Sequence, residues 1–113
     1  MKQIIAYIKP AVLERVTEAL RVIDGLTGMS VMEIQGFGQG KGISFRDRSD
    51  TEITYFCKMA RIELMVSDAN AGKVVDTIQQ KAWTGEKGEG KIYVLGVEEA
   101  VRIRTNERGE TAV

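Results

Sequence analysis

The spacing of apolar residues changes several times along the chain, and the order of these changes restricts the folds that it can adopt. Residues 2–9 alternate as a β-strand does, and both faces of that strand carry apolar side chains: Ile4, Ala6 and Ile8 on one, Ile5 and Tyr7 on the other. Such a strand is expected to be covered on both sides. Pro10 then ends the strand and can open a helix, because the first helical turn does not need its missing N–H.

Spacing near 3.6 residues predicts two helices. The first follows Pro10, ends at Asp24 and Gly25, and has its apolar face at Leu13, Val16, Leu20 and Ile23. The second is predicted to be capped by Asp68 and to run through Trp83. Its apolar face is formed by Val74, Val75, Ile78 and Ala82.

Residues 29–37, 61–66 and 91–97 are rich in strand-favouring residues without helical spacing, so each is predicted to form a strand. A short last strand is predicted over residues 101–104, and residues 105–113 form a charged tail. The order is then β-α-β-β-α-β, typical of a ferredoxin-like α+β fold in which both helices cover one face of an antiparallel sheet. The other face would expose apolar residues, which predicts a closed homo-oligomer.

Composition excludes several classes of protein. The 113 residues fit a single domain, 1–113. Sixteen basic residues balance sixteen acidic ones, so no overall positive field favours binding to nucleic acid or to an anionic membrane. The chain has no histidine, the commonest general base and transition-metal ligand. Its absence argues against a zinc enzyme and a serine-type triad. Since no catalytic constellation is visible in the sequence, we expect no catalytic site, no metal centre and no enzyme.

The single cysteine, Cys57, cannot form an internal disulfide, which favours a reducing, cytoplasmic compartment. No apolar run approaches the ~20 residues of a membrane-spanning helix. The protein is therefore expected not to be inserted in a membrane.

The stretch TGEKGEGKIYV, residues 84–94, resembles a phosphate-binding P-loop. Gly85, Gly90 and Lys91 have the P-loop spacing, but Ile92 stands where a hydroxyl should bind magnesium, and a strand follows where a P-loop has a helix. Glycine backbone N–H groups and a lysine could still hold a phosphate. The other interpretation is a flexible turn with a solvated lysine.

Two further stretches could bind an anion. Residues 36–42, GFGQGKG, have the wrong spacing for a dinucleotide fold and could equally serve as a hinge. In a strand over residues 101–104, Arg102 and Arg104 would point to one side and suit a phosphate or carboxylate. Ion pairing with nearby carboxylates is the alternative, and the candidates are Glu98, Glu99 and Glu107.

The long connection between the second and third strands is predicted to be exposed. Its middle, residues 46–52, is almost wholly polar. Connections of this length without regular structure are mostly either functional or disordered.

Four blocks in order, MKQIIAYIKP, TGMSVMEIQGFGQGKG, TGEKGEGKIYV and VEEAVRIRTNERGE, resemble the PII signal-transduction proteins over the whole chain. The resemblance implies a homotrimer that binds ATP or ADP, with AMP and Mg²⁺ as further candidates, in clefts between subunits. From one subunit, loop 84–91 would hold the phosphates, together with two arginines: the residues are Gly88, Glu89, Gly90, Lys91, Arg102 and Arg104. The neighbouring subunit would contribute Ser30, Gly36, Gly38 and Met65.

The resemblance also implies that residues 39–58, the family's T-loop, contact a partner protein, either an enzyme or a membrane transporter. The residues expected at that contact are Gln39, Lys41, Phe45, Arg46, Arg48, Ser49 and Glu52.

Three departures from the family pattern concern the signal that is read. Gly40 replaces a glutamine that helps bind the magnesium holding 2-oxoglutarate, Met59 replaces a lysine that pairs with the keto acid, and Glu52 replaces a modified tyrosine. We therefore expect weak 2-oxoglutarate binding and a divergent, nucleotide-reading member. The alternatives are a nitrogen-regulatory PII protein that senses 2-oxoglutarate with ATP, a slow nucleotide hydrolase, and a structural trimer that binds no nucleotide.

Overall fold

The computed structural model describes residues 1–37 and 56–113. The strands are β1 (Lys2–Ile8), β2 (Ser30–Gly36), β3 (Cys57–Val66) and β4 (Gly90–Gly96), and the α-helices are α1 (Leu13–Arg21) and α2 (Asp68–Ala82). Short 3-10 helices span Pro10–Val12 and Gly109–Ala112. The predicted β-α-β-β-α-β order of a ferredoxin-like α+β fold is confirmed.

The sheet is antiparallel throughout, with the strand order β2-β3-β1-β4. Its register places Ile4 of β1 between Leu64 of β3 and Val94 of β4. Both helices cover the face that carries Ile4. The core between them comprises Ile4, Ala6, Ile8, Val12, Val16, Leu20, Ile23, Ala60, Ile62, Leu64, Val66, Val74, Ile78 and Ala82.

The first helical segment differs from the prediction at both ends. Pro10–Val12 form a 3-10 turn before α1, in which the Val12 N–H donates to the Lys9 carbonyl at 3.1 Å. The α-helix ends at Arg21, while the chain beyond it still buries Ile23. Strand β3 begins at Cys57, four residues before its predicted start, because this extension pairs with β2.

The N-cap of α2 is Ser67, so the prediction of Asp68 was wrong by one residue. Ser67 has an extended backbone, and its Oγ accepts the Asn70 N–H at 3.3 Å. A cap residue must stand outside the helical turn for its side chain to reach the third helical amide, and Asp68 is already helical.

The predicted strand over residues 101–104 was wrong. Val101 forms a single bridge with Arg108, and the chain between them turns back on itself. The Asn106 N–H donates to the Arg102 carbonyl at 2.7 Å, and Asn106 has a φ of 61°. Because the bridging partner is so close in sequence, the chain must reverse before a strand can extend.

The sheet face opposite the helices has no α-helix packed on it within the described chain. It carries Ile5, Tyr7 and Tyr93. The rings of Tyr7 and Tyr93 meet edge to face, with centroids 6.2 Å apart. It also carries a polar group in which Glu63 accepts from Gln3 at 2.9 Å and pairs with Arg61 at 3.2 Å. Homo-oligomerisation through this face stays a prediction.

Neither of the two α-helices in residues 1–37 and 56–113 combines the length and the hydrophobicity that a membrane span requires.

Candidate functional site

Loop 84–91 connects the end of α2 to the start of β4, and Gly90 fixes how closely it approaches the sheet. Gly90 pairs with Ile8 at the end of β1 and has a φ of 103°. A Cβ on Gly90 would lie 1.6 Å from the Tyr7 carbonyl oxygen, so no side chain fits there. Gly88, two residues earlier, has a φ of 80° and faces open space. Glycine is required at Gly90 for close approach and favoured at Gly88 for conformation.

The carboxylate of Glu89 closes this loop on itself. Its Oε1 accepts the N–H of Thr84 and the N–H of Gly85, the latter at 3.2 Å. Thr84 Oγ1 in turn accepts the Glu86 N–H at 3.3 Å. The hydrogen bonds from Thr84, followed by that from Gly85, hold the pKa of Glu89 below its usual value. The last residues of the loop are thereby tied to the first.

Three lysines lie in or beside the loop. Lys9, directly after β1, pairs with Glu86 through Nζ and Oε1 at 3.6 Å. Lys87 within the loop and Lys91 on β4 are exposed, and neither ammonium makes an ion pair with residues 1–37 or 56–113. The region therefore presents one cation that is already paired and two that are available to an anion.

A cleft of about 230 Å³ adjoins the loop on the side of α2. Its lining includes Tyr7, Ile78, Trp83, Glu89, Gly90 and Lys91. Apolar side chains thus form much of the wall, and the polar groups come from the loop.

A second cavity, of about 430 Å³, lies at the other end of the sheet. It brings together Ser30, Glu63 and Met65 with Ala112 and Val113 of the tail. Two of the residues predicted to border a nucleotide, Ser30 and Met65, therefore line one cavity.

The sheet register separates the predicted site residues into two groups. Gly36 pairs with Cys57 and lies at the sheet end where Gly90 pairs with Ile8. Ser30 lies six residues from Gly36 along β2, which is about 20 Å. One chain therefore places Gly36 near the Gly88–Lys91 end and Ser30 with Met65 at the opposite end.

Arg102 contacts the tail. Its guanidinium pairs with Glu107 at 3.4 Å and donates to the Thr111 carbonyl at 3.3 Å. The ion pair with Glu107 is the alternative that the sequence left open. In the part of the chain that the structure describes, no hydrogen bond or ion pair joins Arg102 or Arg104 to loop 84–91.

The predicted partner-contact residues lie outside the described residues, as do Gly38 and Gly40: these are Gln39, Lys41, Phe45, Arg46, Arg48, Ser49 and Glu52. The described residues at the two ends of this segment are adjacent. The rings of Phe37 and Phe56 have centroids 5.8 Å apart. The segment therefore starts and finishes at the sheet end that carries loop 84–91.

Several features of the site were not found from the sequence. The pair between Lys9 and Glu86 joins residues far apart in the chain, and the role of Thr84 depends on how the loop places its backbone N–H and its hydroxyl. No sequence pattern indicated that the tail residues Ala112 and Val113 would line the second cavity. Within the described ranges, no group of three or more His, Cys, Asp or Glu residues could hold a metal ion.

Comparison with known proteins supports the resemblance. The family model described as Nitrogen regulatory protein P-II matches residues 1–107. A Nitrogen regulatory protein P-II of Rhodospirillum rubrum is 46% identical over 113 residues, covering all of both chains. Nitrogen regulatory protein P-II 2 of Methanothermobacter thermautotrophicus is 46% identical over 115 residues, covering all of this chain and 97% of its own. A Rhizobium meliloti Nitrogen regulatory protein P-II is 42% identical over 113 residues, again covering all of both chains.

These matches show the family, and the names of the relatives indicate which kind of member this chain resembles. The relatives carry the name of nitrogen regulators, which favours the alternative of a nitrogen-regulatory protein over a divergent member. The matches extend over essentially the entire length of the chain. The chain therefore belongs to the P-II family of signalling regulators.

Proposed function

We propose that this protein is a nitrogen-signalling regulator that binds an adenine nucleotide at loop 84–91 and passes the state of that site to a partner protein. The observation that carries the proposal is the construction of the loop. It has glycine backbone at Gly88 and Gly90, an internal tie through Glu89, and an ammonium on Lys91 that pairs with no carboxylate in residues 1–37 and 56–113.

Phosphate is the ligand chemistry that such a loop suits. Backbone N–H groups in glycine-rich turns bind anions because no side chain blocks the approach. Lys91 would add a charge-assisted hydrogen bond, which is stronger than a neutral one. The adjoining cleft of about 230 Å³ offers apolar walls beside these polar groups.

A complete site is proposed to form between copies of the chain. The Gly88–Lys91 loop and the Ser30–Met65 cavity lie at opposite ends of one sheet, too far apart to hold one nucleotide. The sheet face with Ile5, Tyr7 and Tyr93, on which no α-helix of the described chain packs, supports association into a homotrimer. In a closed ring, the loop of one copy can face the cavity of the next.

The partner is proposed to bind residues 39–58, through the contacts predicted from the family pattern. Phe37 and Phe56, the described residues on either side of 38–55, lie at the same sheet end as loop 84–91. A nucleotide that contacts one conformation of the segment better than another would shift its population. An enzyme or a membrane transporter in contact with the cytoplasm would then read that population.

Sensing of 2-oxoglutarate together with ATP is the second candidate function, and the names of the relatives favour it. Against it stands Met59, whose Cγ packs beside Gly36 and lies 3.2 Å from where a Cβ would be. A thioether at that position cannot pair with a keto acid. We therefore expect 2-oxoglutarate to bind weakly.

Titration calorimetry with ATP, ADP and AMP, each with and without Mg²⁺ and 2-oxoglutarate, tests the proposal. We expect micromolar binding of ATP or ADP and a particle of three times 12.5 kDa by native mass measurement. No binding of any adenine nucleotide would refute the nucleotide site. Strong enhancement by 2-oxoglutarate would support the second candidate, and product release above background would indicate a hydrolase.

A further inference from the structure

Glu89 lies within the predicted phosphate site, but its contacts are with the loop itself. We propose that Glu89 is a positioning residue: its carboxylate holds loop 84–91 in the shape that receives phosphate, and does not touch the phosphate. This inference rests on the proposed function of the loop. It replaces the expectation that Glu89 is one of the phosphate-holding groups.

The geometry of the carboxylate carries the inference. Both donors to Oε1, the amides of Thr84 and Gly85, open the loop, whereas Glu89 stands near its end. The single oxygen therefore bridges the two ends of the turn and does not accept the N–H of Gly88, the glycine between them. Thr84 Oγ1 extends the same network by accepting the Glu86 N–H at 3.3 Å.

Charge argues in the same direction. A carboxylate facing a phosphate would repel it, because both are anionic, whereas a carboxylate that accepts backbone N–H groups is stabilised by them. In this chain the amide donors are supplied by the loop, and the cation expected to meet a phosphate is Lys91. Glu89 and Lys91 thus have separate roles: Glu89 holds the loop, and Lys91 meets the phosphate.

Two other contacts anchor the same loop to β1 and to Lys9, the residue that follows it. Glu86 pairs with Lys9 at 3.6 Å, and Gly90 approaches the Tyr7 carbonyl with no room for a side chain. A loop that is fixed before its ligand arrives loses less conformational entropy on binding, which increases affinity. Removing the Glu89 tie should therefore weaken phosphate binding without removing any phosphate contact.

Trp83 allows the loop to be observed without a nucleotide. It is the only tryptophan of the chain and precedes the loop directly. A Cβ on Gly85 would lie 3.4 Å from its Cζ2 atom, so the indole is in contact range of a residue that Glu89 holds. Its fluorescence should change when the tie is broken.

The test compares Glu89→Gln, which keeps an acceptor oxygen at the same reach, with Glu89→Ala, which keeps none. Calorimetry measures ATP and AMP binding with and without Mg²⁺, and Trp83 emission is recorded on the free protein. Glu98→Ala is the control, because Glu98 is exposed and its loss changes net charge equally.

For Glu89→Ala we expect shifted Trp83 emission and ATP affinity about tenfold lower, because two charge-assisted hydrogen bonds are lost. Glu89→Gln should lose about two- to threefold in ATP affinity and keep near-native Trp83 emission, since neutral acceptors make weaker hydrogen bonds. Both losses should be independent of Mg²⁺. Glu98→Ala should match the native chain in both measurements.

Three outcomes would overturn the inference. Unchanged Trp83 emission in Glu89→Ala would mean that the carboxylate does not hold the loop. Equal losses of ATP affinity in both variants that depend on Mg²⁺ would make Glu89 a ligand of the metal–phosphate complex. Higher ATP affinity in Glu89→Gln would show that its charge faces the phosphate. If Glu89→Ala does not fold, the ATP affinity of Glu89→Gln decides: a two- to threefold loss that is independent of Mg²⁺ supports the inference, whereas a higher affinity or a magnesium-dependent loss overturns it. A native chain that binds no nucleotide refutes the proposed function, whereas the emission measurement still tests the tie.

Discussion

Gly90 lies so close to Tyr7 that a Cβ on the glycine would stand 1.6 Å from the tyrosine carbonyl oxygen. The contact joins Gly90, the first residue of β4, to Tyr7, which is next to the last residue of β1. It fixes where loop 84–91 meets the sheet, and hence where Lys91 stands relative to the cleft. The glycine is therefore needed by the fold as well as by the proposed site.

Replacing Gly90 by Ala should destabilise the protein strongly. The new methyl group would overlap the Tyr7 carbonyl, and the φ of 103° disfavours any side chain, so we expect a loss of at least about 3 kcal/mol in the free energy of unfolding. Thermal unfolding at fixed protein concentration measures it. Gly96→Ala on the same strand is the matched control, because a Cβ there meets nothing within 4 Å. Equal stability of the two variants would contradict the reported geometry.

Lys91→Ala should weaken ATP more than AMP while leaving the assembly intact. A phosphate contact counts only when the outer phosphates are present, and a charge-assisted bond of this kind contributes about 1.5–3 kcal/mol. Paired calorimetric titrations with the two nucleotides measure the difference. Lys73→Ala removes the same charge from the exposed side of α2 and should change neither affinity. An equal loss for ATP and AMP in Lys91→Ala would rule out a phosphate contact.

The two arginines of the C-terminal turn should differ in their effect on stability. Arg102→Ala removes the ion pair with Glu107 and the bond to the Thr111 carbonyl, so a loss of about 0.2–1 kcal/mol is expected for this half-exposed pair. Arg104→Ala removes no such contact among the described residues and should leave the melting temperature unchanged. If both arginines face the cleft, both variants should also weaken ATP. A stability loss in Arg102→Ala without any change in binding would make its role structural.

Acid should loosen loop 84–91 through Glu89. The pKa of Glu89 is lowered in the folded protein by the hydrogen bonds from Thr84 and then Gly85, so the unfolded chain binds the proton more readily. The contribution to stability is therefore complete above the unfolded pKa of about 4.3 and is lost as the pH falls through the folded pKa. Trp83 emission followed from pH 6 downward should change below that value in the native chain. Glu89→Gln, which cannot titrate, should lack this component; an identical acid response in both would assign it to other groups.

Binding of 2-oxoglutarate should be weak even with saturating MgATP. Loss of a charge-paired carboxylate contact costs about 2–5 kcal/mol, and neither Gly40 nor Met59 can supply the groups that the family pattern has there. Titration of the native chain and of the double variant Gly40→Gln with Met59→Lys compares the two cases. Gain of binding only in the double variant is expected. Micromolar binding by the native chain would instead establish the nitrogen-sensing function that the relatives' names favour.

The residues of the core were predictable because their pattern is local. Alternation alone placed Ile4, Ala6 and Ile8 on one face of β1, and all three are buried. Helical spacing likewise identified Val74 and Ile78 on the buried face of α2. Backbone geometry repeats every 2 or 3.6 residues whatever lies elsewhere in the chain, so the sequence by itself determines which side chains share a face.

The ends of the elements and the composition of the site depended on contacts between distant residues. Strand β3 gains its first residues only because β2 lies beside it, and residues 101–104 are no strand because Val101 bridges to Arg108. The site shows the same limit: Lys9 meets Glu86 across the fold, and the sheet register places Gly36, but not Ser30, at the end that carries Gly90. Hydrogen-bond pairing between strands is non-local, so periodicity cannot predict where it stops or which loops it brings together. The tertiary structure alone decided that one chain carries two separated halves of the proposed site.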